Sequence, residues 1–108
     1  MTPPPDKKYG IRVARTLGKR LHKRGYPIRS IRLFGSVAQG KAHKWSDIDI
    51  AVICDPFLES KYDEKHIFAK EGRDIDVRVE IICFHPEDFK NKYFTLAKEV
   101  ERYGVEVE

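Results

Sequence analysis

The chain predicts an α/β domain, and three patterns in it do so. A stripe of apolar residues at helical spacing fills residues 9–24. Three β-type runs follow, over residues 28–34, 47–54 and 74–84, and helical or turn-rich segments separate them. The 108 residues suffice for one domain with a modest core.

Each element has a local reason. Met1 to Asp6 contains Pro3-Pro4-Pro5 and reads as an extended or flexible arm, so residues 1–8 are assigned to an arm and residues 9–108 to a single domain. In the first helix Ile11, Val13, Ala14, Leu17 and Leu21 fall at helical spacing, and Gly25 stops it. Ile31 and Leu33 alternate with Ser30 and Arg32, a strand that runs into Gly35. A short helix or turn follows. Ile48-Asp49-Ile50-Ala51-Val52-Ile53 is then a β-branched buried strand, opened by Asp47 and closed after Cys54 by Asp55-Pro56. Residues 57–72 are polar around Ile67, Phe68 and Ala69 and read in part as a helix. In the next run Ile75, Val77, Val79, Ile81 and Cys83 alternate as a core face, with Asp74, Asp76, Arg78, Glu80 and Ile82 opposite. Pro86-Glu87-Asp88 is a helix start, because proline suits the first turn and acids suit the positive end of the dipole. Tyr93, Phe94, Leu96, Ala97, Val100 and Tyr103 give that helix an apolar stripe, Gly104 ends it, and Val105 to Val107 form a short last strand.

The chemistry is concentrated between Gly35 and Asp49. Glycine permits a sharp turn and close backbone approach by a ligand. Ser36 adds a hydroxyl, and backbone N–H groups opening a helix can meet phosphate oxygens. Ten residues later, Asp47 and Asp49 are two apart on a strand and share a face. Two such carboxylates repel unless a cation lies between them, and hard oxygen ligands suit Mg2+ or Mn2+. A phosphate-holding turn thus stands beside a metal-holding pair.

Gly35-Ser36, ten residues, then Asp47-x-Asp49 resembles the signature of the nucleotidyltransferase superfamily with a DNA polymerase β-like core. The size of the chain makes it similar to the minimal nucleotidyltransferases (MNT) that pair with HEPN-domain partners in toxin–antitoxin systems. The motif covers about fifteen residues, and the order of elements extends the likeness to most of the chain. The resemblance implies a mixed sheet with helices mainly on one face. It implies an NTP, ATP first, held by Gly35 and Ser36 with Lys41 and Lys44 nearby, and Mg2+ (or Mn2+) held by Asp47, Asp49 and a third acid. Parity does not choose that acid among Asp74, Asp76 and Glu80. The Pro86-Glu87-Asp88-Phe89 run after Glu80 resembles the family's pattern and favours Glu80, with Asp76 as the alternative. The implied reaction moves a nucleoside monophosphate to an acceptor, with a HEPN-type protein as partner and acceptor. Two departures stand out: Glu80 occupies a place where Asp is usual, and Gln39 stands where Arg is common. They leave open an alternative, a non-catalytic antitoxin of the same fold that works by contact alone.

The remaining features set bounds. Residues 1–50 carry 12 Lys or Arg against 3 Asp, and residues 51–108 carry 9 against 14 Asp or Glu. The basic run Lys19-Arg20-Leu21-His22-Lys23-Arg24 fits an anionic partner, RNA included, or a solvated helix face. There is no apolar run of about 18 residues and no secretory-type leader, so the expectation is a cytoplasmic protein without a membrane span. Cys54 and Cys83 lack metal spacing and read as small buried thiols. His22, His43, His66 and His85 show no zinc-pair spacing. Trp45 reads as a packing residue or a lid over a base, and the sequence leaves the oligomeric state open.

Overall fold

The computed structural model describes residues 3–108. Its elements are α1 (Lys7–Lys23), β1 (Ile28–Phe34), α2 (Gly35–Ala38), β2 (Ile48–Cys54), α3 (Lys61–Ile75), β3 (Val79–Phe84), α4 (Thr95–Tyr103) and β4 (Val105–Glu106), with a 3-10 turn at Pro86–Lys90 between β3 and α4. One four-stranded sheet has the order β3-β2-β1-β4. β1 lies antiparallel to both β2 and β4, and β2 and β3 are parallel, so the sheet is mixed. A parallel neighbour needs a crossover, and α3 supplies it.

The alternation of β2 explains the layering. Ile48, Ile50, Val52 and Cys54 join Ile31, Leu33, Val79 and Ile81 in one core with Val13, Leu17 and Leu21 of α1 and Phe68 of α3. Asp49, Ala51 and Ile53 face the other way, where Ala51 and Ile53 meet Phe34, Phe84 and the α4 residues Ala97 and Val100. Two helices therefore cover one face and one short helix covers part of the other. Asp49 lies on the sparsely covered face. Among the described residues no helix is long and apolar enough to cross a membrane.

Helix α1 begins where the Asp6 carboxylate accepts the Tyr9 N–H at 2.7 Å. Of the proposed arm, Met1 and Thr2 lie outside the described residues, and Pro5 is buried. Several expectations need correction. The 74–84 run is not one strand: Asp74 and Ile75 end α3, Asp76 caps it, and the ladder begins only at Val79. Helical packing of Phe68, Ala69 and Gly72 carries α3 past the predicted end, so the apparent alternation from Ile75 to Val79 crosses a helix end and a turn. Val77, expected in the core, is 83% exposed. The predicted helix from Pro86 splits into the 3-10 turn and α4, which leaves Tyr93 exposed. Trp45 is exposed as well and packs into no core, with the Lys44 ammonium 5.0 Å from its ring centre.

Candidate active site

The strand register assembles the site. Phe34 of β1 is paired with Asp49 of β2, and Asp49 with Glu80 of β3. Adjacent strands lie about 4.8 Å apart, so Asp49 and Glu80 are direct neighbours on one face. Asp47 sits in the loop just before β2, exposed, and its charge acts on Asp49. Glu80 is exposed and is the second residue of its strand.

Gly35 fixes the remaining wall. Its φ is +74°, in the left-handed region that disfavours side chains. A Cβ built there would overlap the Asp49 carboxylate. The turn at the start of α2 thus presses against the very acid that the motif supplies ten residues later. Ser36 follows, half-buried, and its carbonyl accepts the Lys41 N–H at 2.9 Å. Lys41 and Lys44 are exposed in the loop between α2 and β2, as is Gln39.

The electrostatics of this corner are those of acids that no basic group compensates. Burial, then the charges of Asp47, Glu80 and Glu99, push the Asp49 carboxyl up to about 6. Among the described residues, no Lys, Arg or His forms an ion pair with Asp47, Asp49 or Glu80. Every other half-buried or buried carboxylate of the sheet region has a partner. Asp76 shows the contrast. It accepts hydrogen bonds from Arg78 Nε at 3.0 Å and Nη2 at 2.9 Å, and from the Tyr9 hydroxyl at 2.7 Å. Chiefly through Arg78, its carboxyl is held far below the usual range. The fold brings Asp47, Asp49 and Glu80 together, and places Asp76 in a separate, saturated group at the α3 end. The donor set fits a hard divalent ion: carboxylate oxygens, open to solvent on one side and free of competing cations.

Glu99 was not legible as a neighbour of this site. It lies on α4, fifty residues from Asp49, and nothing in its local sequence marks it. A cleft of about 570 Å³ is elsewhere: it is lined by Arg29, Arg32, Ile53 and Asp55 and by the 85–89 segment, towards the other end of β2. The basic run of α1 is partly consumed within the fold. Arg20 pairs with Asp74 and Arg24 with Glu71, both at 2.7 Å.

A strand that ends in a left-handed glycine and serine, pressed against paired acids on the next strand, defines a class of phosphate-transfer domain. Residues 14–108 match the nucleotidyltransferase domain family (NTP_transf_2), and the chain belongs to that family, one of transferases. Solved structures agree. A toxin–antitoxin crystal structure with AMP-PNP is 25% identical, with a TM-score of 0.61 over 88% of this chain and 72% of that one. A structure provisionally described as a nucleotidyltransferase from Sulfolobus solfataricus is 17% identical, with a TM-score of 0.67 over 93% and 80%. The toxin–antitoxin MntA-HepT is 19% identical, with a TM-score of 0.57 over 89% and 69%. The first of these likenesses agrees with the toxin–antitoxin resemblance of the motif, and the other two show the same fold. A comparison with curated proteins finds no match.

Proposed function

We propose that this chain is a minimal nucleotidyltransferase of the cytoplasm. It transfers a nucleoside monophosphate from an NTP, ATP in the first instance, to an acceptor on a HEPN-type partner protein. The observation that carries the reading is the contact between Gly35 and Asp49 together with the Asp49–Glu80 register. A glycine–serine turn and three uncompensated acids meet at one corner. The family membership and the AMP-PNP in a toxin–antitoxin relative support the nucleotide.

Asp47, Asp49 and Glu80 would hold Mg2+ or Mn2+. Such an ion, when bound, polarises the phosphoryl group and offsets the charge that builds on the leaving pyrophosphate. The protein's own part is orientation. Gly35 and Ser36 present backbone N–H groups and a hydroxyl to the triphosphate, and no Cβ blocks its approach. Lys41 and Lys44, on a loop beside this turn, supply the positive charge that Gln39 lacks. An acceptor hydroxyl attacks the α-phosphorus, the bond to the β-bridging oxygen breaks, and pyrophosphate departs. The acceptor proton passes to the ionised acid nearest the acceptor, and Asp47 and Glu80 are the two exposed ones.

The test is incubation with α-labelled ATP and Mg2+, with and without the co-encoded partner. Label should appear on the partner, and Asp47→Ala or Asp49→Ala should abolish it. Neutralisation of the partner that persists in both variants, with no label transferred, would instead establish the contact-only antitoxin, which the uncharged Gln39 favours.

A further inference from the structure

A second cluster of metal-type ligands lies on the opposite face of the same strand pair. The Sγ atoms of Cys54 and Cys83 are 3.7 Å apart. Each lies 4.0 Å from Glu64 Oε1, and His85 Nε2 lies 2.5 Å from that same oxygen. All four ligand atoms fall within 4.8 Å of one another. Cys54 and Glu64 are fully buried, Cys83 is 7% exposed, and the His85 side chain is 19% exposed.

We propose that Cys54, Glu64, Cys83 and His85 form a structural zinc site. Two thiolates, an imidazole and a carboxylate are a donor set that suits tetrahedral Zn2+. The dimensions agree. Two Zn–S bonds of about 2.3 Å at the tetrahedral angle set the sulfurs about 3.75 Å apart, and they are already at 3.7 Å. The sulfur–oxygen separations need to close by about half an ångström, and the His85–Glu64 contact needs to open by less than one.

The support around the ligands is built for one orientation. Glu64 Oε2 accepts the N–H groups of Phe57 at 2.7 Å and Leu58 at 3.0 Å, so only Oε1 points into the cluster. The His85 N–H donates to Asp88 Oδ2 at 2.8 Å, and Lys61 Nζ holds that same oxygen at 2.9 Å. These bonds fix the backbone that presents the imidazole. Four donors leave no open coordination position and the site is nearly dry, so its role is to hold the fold. Zinc here would tie the ends of β2 and β3 to the first half of α3.

No local spacing announces this set. Its ligands come from the end of β2, from α3, and from Cys83-x-His85 across the end of β3. The parallel register, with Val52 beside Cys83, brings the strand ends together, so His85 does assemble with other ligands although sequence spacing gave no sign of it.

The test begins with the full chain purified under reducing conditions without chelator, from cells supplied with zinc. Elemental analysis should find about one zinc per chain. Addition of Co2+ to the zinc-stripped protein should give thiolate-to-cobalt charge transfer with tetrahedral ligand-field bands, and zinc should abolish both. Cys54→Ser and Cys83→Ser should each lose the metal and lower the charge-transfer intensity. A strong chelator should lower the Tm of the wild type and not that of the variants. Because the wild-type measurements stand alone, a variant that fails to fold does not rescue the idea. Substoichiometric zinc with no cobalt spectrum would overturn it. So would a Cys54–Cys83 disulfide that forms in air in the presence of zinc as readily as in its absence.

Discussion

The two ends of the β2–β3 pair make opposite use of one register. At the N-terminal end, Asp49 and Glu80 stand side by side on the face that α4 covers only in part. At the C-terminal end, Cys54 and Cys83 stand together on the face that α1 and α3 close. Hard oxygen donors are left open and uncompensated, and soft sulfur donors are enclosed with an imidazole. An open acidic corner can exchange ions and admit a substrate. An enclosed thiol corner can only hold what it binds. Strand alternation produces the difference: the odd-numbered residues of β2 face one side and the even-numbered ones the other.

The largest expected effect breaks the open end. Asp47→Ala and Asp49→Ala should each reduce nucleotidyl transfer by at least about a hundredfold, as loss of a central electrostatic group does. Neither variant should melt below the wild type, since neither carboxylate has a partner to lose, and Asp49→Ala removes a charge that its acidic neighbours repel. A variant that keeps more than a tenth of the activity would remove that residue from the chemistry. Gly35→Ala comes next. It forces a Cβ into a left-handed backbone and against the Asp49 carboxylate. A stability loss of about 2 kcal/mol and a marked loss of transfer should appear together in urea melts and label assays. Gly40, also at positive φ but with open space at its Cβ, is the control: Gly40→Ala should cost stability and spare the Asp49 geometry.

How far the sequence showed the two ends differs for a physical reason. The open end is encoded in a contiguous stretch, because a tight turn and the following strand must be close in the chain. Gly35, Ser36, Asp47 and Asp49 were therefore legible together, and so was the strand that Asp49 occupies. The third acid was not fixed by parity, because the 74–84 run alternates across a boundary where helix gives way to strand. Only the register sets Glu80 beside Asp49, while the Asp76 side chain turns to Arg78 and Tyr9. Of the closed end only the burial of the two thiols was legible, not their assembly. Cys54, Glu64 and Cys83 are brought together by the parallel pairing and the α3 crossover, which are tertiary facts without a local signature.

Asp76 and Asp49 respond to acid in opposite directions. The Asp76 carboxyl is depressed below its unfolded value, mainly by Arg78, so its contribution is present above the unfolded pKa and is lost as pH falls below about 4. Asp76→Asn should cost about 2 kcal/mol near neutrality, because it leaves the Arg78 guanidinium half-buried and unpaired. The deficit should shrink as the wild type is itself acidified. Urea melts at neutral pH and at about pH 3 would show it, and a deficit that does not change with pH would refute the pairing as its cause.

Asp49 gives the smallest effect and the one that most directly separates ion site from fold. Its carboxyl is pushed up to about 6 by burial and by its acidic neighbours. A folded value above the unfolded one means that the favourable contribution is present below about pH 4 and is lost as pH rises through about 6. In metal-free protein at neutral pH, therefore, ionised Asp49 opposes the fold. Asp49→Asn should raise the metal-free stability by on the order of 1 kcal/mol, a figure reduced for the half of the group that solvent screens. The gain should vanish near pH 4, where the wild-type carboxyl is already neutral. Glu99→Gln should shift stability the same way by less, because its charge is the last of the three that act on Asp49. Added Mg2+ should stabilise the wild type and leave Asp49→Asn unmoved. A metal-free Asn variant no more stable than the wild type would mean that solvent already compensates the acids, and the open end would then be an ordinary polar surface.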